Sequence, residues 1–156
     1  MTVSIEKATP EDAQTLMDIQ IRAFHHDKTL YPDEPMALGG PPGYDSLDVV
    51  LDNIQNHICY KILLDAKIVG GIVIWNRGNG HYHLDIIHID PPYHGQGIGS
   101  QAMKFIESAH PASKWTLDTP AYATRNHHFY QKLGYIKVGE QTEDDGFVLW
   151  NYEKKS

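Results

Sequence analysis

The run HGQGIGS at 94–100 sets glycines at three alternate positions, Gly95, Gly97 and Gly99. It lies between an alternating apolar stretch, HYHLDIIHID, and an amphipathic one. A strand that feeds a helix through such a turn aims several backbone N–H groups outward at the helix start, where the helix dipole also favours negative charge. The chemistry this suits is the holding of an anion, above all a phosphate. Two common phosphate-binding patterns do not fit. A dinucleotide fingerprint started at Gly95 needs glycine where Ser100 stands, and a P-loop needs a lysine directly after its last glycine. A plain, tightly packed strand-to-helix connection is the alternative.

Two further groups of side chains carry proton chemistry. In HYHLDIIHI, strand alternation places His81, His83, Asp85, Ile87 and Ile89 on one face and His88 on the other. An imidazole or carboxylate there can take a proton, directly or through water. The same residues have the composition of a metal site, but nothing in the chain resembles HExxH or a paired CxxC site, so no metal is expected. In FYQKLGY, Tyr130 is a phenol with a reference pKa of about 10, protonated at neutral pH and able to donate. Packing of a helix tyrosine on a sheet is its other reading. Cys59, inside a strand-like run, reads as a small buried residue.

The elements that must position these groups are legible along the chain. VSI near Val3 predicts a first strand. TPED then supplies a helix start, with Thr9 as cap, Pro10 in the first turn and Asp12 three residues beyond Thr9. Ala13, Leu16, Met17 and Phe24 follow at helical spacing. A long loop is expected over 25–44, with four prolines and three glycines between Tyr31 and Tyr44. A second helix begins near Asp45, with Leu47, Val50, Leu51, Ile54 and Ile58 on one face. CYKILLD, KIVGGIVIW and HYHLDIIHID then form an antiparallel meander, turning at 65–67 and at NRGNG. After the glycine turn, Ala102, Phe105, Ile106 and Ala109 mark a buried helix stripe. KWTLDT follows as a strand parallel to the preceding one. TRNHHFYQKLG is a helix ended by Gly134, and YIKVGE with FVLWNYE closes a hairpin across EDDG.

Bulk properties narrow the function. The chain has 156 residues, 41% of them apolar, which suits one globular domain over 1–156. A formal charge of −7 argues against a nucleic-acid binder and favours a cationic substrate. A single cysteine cannot form an internal disulfide, and MTVSIEKATPED lacks the apolar core of a signal peptide. The longest apolar run, at 68–75, is far short of the roughly 20 residues that span a bilayer. A cytoplasmic protein without membrane partners is expected.

The run IHIDPPYHGQGIGSQAM resembles the acyl-CoA-binding signature of the GNAT superfamily of N-acetyltransferases: Arg or Gln, two residues, Gly, one residue, then Gly or Ala. His94 stands in the first position, a departure, and Gly97 and Gly99 in the glycine positions. A protonated histidine can still donate to phosphate, with a reference pKa of about 6.5. FYQKLGY resembles the family's FYxKxGF segment, and the element order matches over nearly the whole chain. A second departure is Ala123, where the family often has asparagine; Asn126 either takes over a cofactor contact or caps the helix.

The resemblance implies an α+β protein of the GNAT acyl-CoA N-acyltransferase fold, with a central mixed, mostly antiparallel sheet of about seven strands and about four helices. It implies direct transfer from acetyl-CoA, as cosubstrate, to a primary amine of a small-molecule or peptide acceptor, with a homodimer possible. The cradle is then His94, Gly95, Gln96, Gly97, Ile98, Gly99 and Ser100. The Ile87 amide lies near the acetyl oxygen, and the Ile89 amide pairs with the pantetheine arm. His83 and Asp85 are the candidates for the base, and Tyr130 for the acid toward the leaving thiolate. The loop over 25–44 overlies the acceptor pocket, where Asp27, Asp33, Glu34 or Asp45 can receive a cationic amine. Two other readings stand beside this one: a non-catalytic acyl-CoA-binding module, and a metal-dependent hydrolase built on the strand histidines.

Overall fold

The Thr9 to Asp12 start forms as its residue types require. In the computed structural model, which describes residues 2–35 and 40–155, the Asp12 carboxylate accepts from the Thr9 backbone N–H at 2.9 Å and from its hydroxyl at 3.2 Å. Lys61 reaches the same carboxylate at 3.1 Å, tying the helix start to the sheet. After β1 (Val3–Lys7) and a 3₁₀ turn over Pro10–Asp12 comes α1 (Ala13–Leu30). Helix α2 (Leu47–Asn56) follows, its Ser46 hydroxyl accepting from the Val49 N–H. The meander is β2 (Ile58–Leu64), β3 (Lys67–Asn76) and β4 (His81–Ile89). A 3₁₀ turn (Pro91–Tyr93), α3 (Ile98–Ala109), β5 (Lys114–Pro120), α4 (Thr124–Lys132), β6 (Ile136–Thr142) and β7 (Val148–Lys155) complete the chain. The seven strands make one mixed sheet in the order β1-β2-β3-β4-β5-β7-β6. Only β4 and β5 pair in parallel.

Helices α1 and α2 cover one face through Ala13, Leu16 and Val50. Helix α3 buries Ile98, Ala102, Met103 and Ile106 on the other face, against Ile62, Ile72, Ile74, Leu84 and Leu117, and α4 adds Tyr130. No helix among the described residues is long and apolar enough to cross a membrane.

Three expectations are corrected. Residues 25–30 belong to α1, so the loop begins later than its composition implies; part of it, 36–39, lies outside the described residues. Ile58 opens β2 and is not on the α2 face, because the chain turns extended at His57 (φ −128°, ψ 179°).

The third correction concerns β4. Val73 pairs with Ile86 but Ile74 pairs with Leu84, so Asp85 is an extra residue in β4, a β-bulge. A bulge shifts alternation by one. His83, opposite Trp75, therefore shares a face with Ile86 and His88, opposite Val73 and Gly71. Ile87, opposite Ile72, joins Leu84 and Ile89 on the α3 side. The five residues expected on one face are thus divided between two.

His88 is buried beneath α1, and neither ring nitrogen has a hydrogen-bond partner among the described residues. Gly71 makes room for the ring: a Cβ there would come within 2.8 Å of His88 Cε1. Burial holds the His88 and His83 pKa values down to about 4. A histidine depressed in the native state binds its proton first when unfolded. Stability is therefore fully present above about pH 6.5 and falls as pH drops toward 4, by up to about 1.4 kcal/mol per pH unit for each ring. His88→Leu is expected to reduce that slope by about half and, by removing an unpaired buried imidazole, to raise stability at pH 7 by about 1 kcal/mol. Urea unfolding at a series of pH values measures both.

Candidate active site

The parallel pairing of β4 with β5 runs only from His81 and Lys114 to Leu84 and Leu117, although both strands continue. Beyond the bulge the two edges have no register, and a gap opens between them. The Asp90 N–H bonds the Val69 carbonyl of β3 at 2.7 Å. Because successive amides of a strand point to opposite sides, the Ile89 and Ile87 N–H groups face the gap. Their side chains pack on the core, so only their backbone is offered there.

At the gap's upper end stands the glycine turn. Gly95 (φ 76°) and Gly97 (φ 77°) hold left-handed conformations that other residues adopt at a cost, and a Cβ on either would meet nothing within 4 Å. The first helical bond of α3 runs from the Gln101 N–H to the Gly97 carbonyl, which leaves the amides of Ile98, Gly99 and Ser100 without helical partners. Ile98 buries its side chain, and Gln96 is exposed. Gly99 is small for packing, since a Cβ there would lie 3.3 Å from Phe129. An open cradle of amides at a helix N-terminus fits a phosphate group. His94 Nε2 donates to the Ile89 carbonyl at 2.6 Å. That leaves only Nδ1 free, which donates to an anion only when the ring is protonated.

The cradle is braced by α1. Arg22 grips the buried Asp90 carboxylate through Nε at 3.1 Å and Nη2 at 3.0 Å, and the bonds hold the guanidinium pKa up. Arg22→Ala is expected to cost about 1–3 kcal/mol, because Asp90 is left buried with its charge uncompensated. Urea denaturation measures it.

On the α1 side of the sheet, the Thr116 hydroxyl lies between His81 Nε2 at 2.7 Å and His83 Nδ1 at 2.8 Å. His83 Nε2 lies 3.8 Å from Asp118, which accepts from Asn151 at 2.6 Å. With its pKa near 4, His83 is neutral at pH 7 and Thr116 fixes its ring. Asp85 is exposed at the bulge. Tyr130 is 8% exposed and packs with the α3 side of the sheet, and its hydroxyl makes no hydrogen bond among the described residues. Burial, with the Asp27 charge second, pushes its pKa well above the usual phenol value. Asn126 does not cap α4, whose N-cap is Ala123; its Nδ2 donates to Thr119 at 3.1 Å and fastens α4 to the end of β5. No group of three or more His, Cys, Asp and Glu among the described residues is arranged to hold a metal.

Asp27, expected in the loop, lies in α1. It extends the buried α1 stripe of Leu16, Gln20 and Ala23 by one turn, a spacing visible in the sequence.

Residues 14–135 match the family model described as the acetyltransferase (GNAT) family. Among curated proteins, YrkN of Bacillus subtilis (strain 168), named as uncharacterized, is 41% identical over 86 residues, 53% of this chain and 46% of that protein. The chain thus spans less than half of YrkN. The S-(2-succino)cysteine N-acetyltransferase of the same strain is 26% identical over 161 aligned positions, 95% of this chain and 93% of that one. The PaiA N-acetyltransferase of Thermoplasma acidophilum, solved in complex with coenzyme A, shares the fold with a TM-score of 0.79 and 18% identity, covering 100% of both chains. Since the family match runs from the first turn of α1 to the end of the FYQKLGY segment, this chain belongs to the acetyltransferase (GNAT) family.

Proposed function

We propose that this protein is an acetyl-CoA-dependent N-acetyltransferase that acts directly on the primary amine of a small-molecule or peptide acceptor. The observation that carries this reading is the β4/β5 gap, with an open amide cradle at one end, together with an unpartnered Tyr130 hydroxyl on the helix that follows β5. A relative named as an N-acetyltransferase and a fold neighbour solved with coenzyme A support it.

In this reading the amides of Gly97, Ile98, Gly99 and Ser100 hold the pyrophosphate, with Gly95 and Gln96 shaping the turn and His94 fixing it to β4. The Ile89 amide pairs with the pantetheine arm, and the Ile87 amide donates to the thioester oxygen as it gains charge. The acceptor ammonium loses a proton to a base on β4, His83 or Asp85, directly or through water. The freed lone pair attacks the carbonyl carbon; the C–N bond forms and the C–S bond breaks. The thiolate takes the Tyr130 proton, and the tyrosinate takes the second proton that nitrogen sheds. One proton in all leaves through the base. Asn126 keeps the start of α4, and so Tyr130, beside the gap.

Calorimetry with coenzyme A, followed by thiol release from acetyl-CoA with an amine panel, tests the proposal. Tight binding with amine-dependent thiol release is expected. Binding without release from any amine leaves a non-catalytic acyl-CoA-binding module, and no binding removes the cofactor assignment.

A further inference from the structure

The last turns of α1 bridge the two sides of the gap. On one side the His26 ring meets the His94 ring at 5.3 Å, one turn beyond the Arg22 to Asp90 clamp. On the other, Tyr31 at the helix end accepts from the Arg125 backbone N–H at 3.3 Å and packs on Tyr122 at 5.2 Å. Asp27 lies between these two supports, on the stripe that faces the sheet. Its carboxylate forms no hydrogen bond or ion pair among the described residues. Burial raises its pKa against the opposing pull of His94, His26 and Arg125, and it is the charge that bears on Tyr130. Arg125 stands exposed in the first turn of α4, and its guanidinium likewise makes no ion pair among the described residues. A partly desolvated carboxylate without a partner is costly to keep unless a ligand completes it.

Resting on the transferase reading above, we infer that the acceptor is a zwitterion of the α-amino-acid type, its ammonium received by Asp27 and its carboxylate by Arg125. An acceptor held this way carries its nitrogen between Asp27 and Tyr130, beside the gap where the thioester carbonyl lies in the proposed reaction. A peptide N-terminus or a simple monoamine satisfies Asp27 alone.

The experiment compares the protein amino acids with their carboxamides and their decarboxylated amines as acceptors, at saturating acetyl-CoA, for wild type, Asp27→Asn, Asp27→Glu and Arg125→Gln. Calorimetric affinity for coenzyme A accompanies each. In the wild type, kcat/KM for the preferred amino acid is expected to exceed that of its carboxamide by about tenfold or more, the effect of one charge-assisted contact. Arg125→Gln erases this ratio with coenzyme A affinity held. Asp27→Asn lowers kcat/KM for acid and carboxamide alike by at least about tenfold, mostly through KM, and Asp27→Glu restores part of it. Equal use of acids, carboxamides and amines by the wild type overturns the inference while the transferase reading stands. So does an Arg125→Gln variant that loses coenzyme A affinity and keeps its acceptor ratio, which assigns that arginine to the phosphates. A wild type that binds coenzyme A yet acetylates none of the panel overturns both.

Discussion

Tyr130→Phe is expected to lower kcat by about 10²-fold, within the range general acid catalysis supplies, while acetyl-CoA affinity changes by no more than about twofold. The environment of the side chain separates the two effects. The ring packs against Phe129, Tyr135 and Tyr152, with centroids 5.1, 6.0 and 6.3 Å away, and phenylalanine keeps those contacts. The hydroxyl contributes no hydrogen bond to the described fold, so its removal leaves no partner unsatisfied, and the melting temperature should hold or rise. Burial and Asp27 keep the phenol protonated well beyond the ordinary value of about 10, so it remains an acid across any practical assay range. Single-turnover rates at saturating acetyl-CoA, beside thermal melts, decide the matter. A variant that melts earlier at unchanged kcat makes Tyr130 a packing residue.

Much of the architecture was legible because local chemistry and the global fold agree. Thr9 and Asp12 announce α1 through the bonds of their side chains, while Asp65, the NRGNG turn and Gly134, which end strands and α4, hold positive φ values that their residue types favour. The misplacements have equally local causes. Ile58 lies four residues after Ile54 and so continues a helical stripe, while also opening a strand; periodicity alone cannot choose between the two. Residues 25–30 stand beside a proline-rich segment, yet proline restricts only the residue before it, Tyr31, where the helix ends.

The bulge at Asp85 has one mark in the sequence, which strict alternation over the whole strand passes over. In HYHLDIIHI polar and apolar residues alternate as far as Ile86, and the doublet Ile86–Ile87 then shifts the phase by one, the slip that the pairing with β3 takes up at Asp85. Its consequence reaches the chemistry, because it turns His83 toward Thr116 and Asp118 while Ile87 and Ile89 face the core. Amide direction alternates together with side-chain face, so the same slip that sets Ile87 and Ile89 on the α3 side also turns their N–H groups away from β3. Side-chain roles did not survive unchanged. Asp27 was read as one of several loop acids, and only the length of α1 sets it on the underside of the helix.

Gly97→Asp is expected to reduce coenzyme A affinity at least 10²-fold without unfolding the protein. The residue holds φ 77°, where a side chain costs about 1 kcal/mol, and aspartate is among the types that tolerate this region. No atom lies within 4 Å of the added Cβ, so the fold meets no clash. What the carboxylate does occupy is the space above the amides of Ile98, Gly99 and Ser100, donors of the first helical turn without a helical partner. It accepts from them, and it repels an incoming pyrophosphate from the same place. Displacing two or three charge-assisted hydrogen bonds at about 1.5–3 kcal/mol each is ample for the stated loss. Gly97→Asn has nearly the same shape and the same tolerance of positive φ but no charge. Its affinity should fall much less, about tenfold, from bulk alone. Calorimetry on both variants, with circular dichroism to establish folding, separates charge from shape. Equal losses in the two would assign the effect to space above the turn, and a folded Gly97→Asp that binds coenzyme A as the wild type does would remove the phosphate from this cradle altogether.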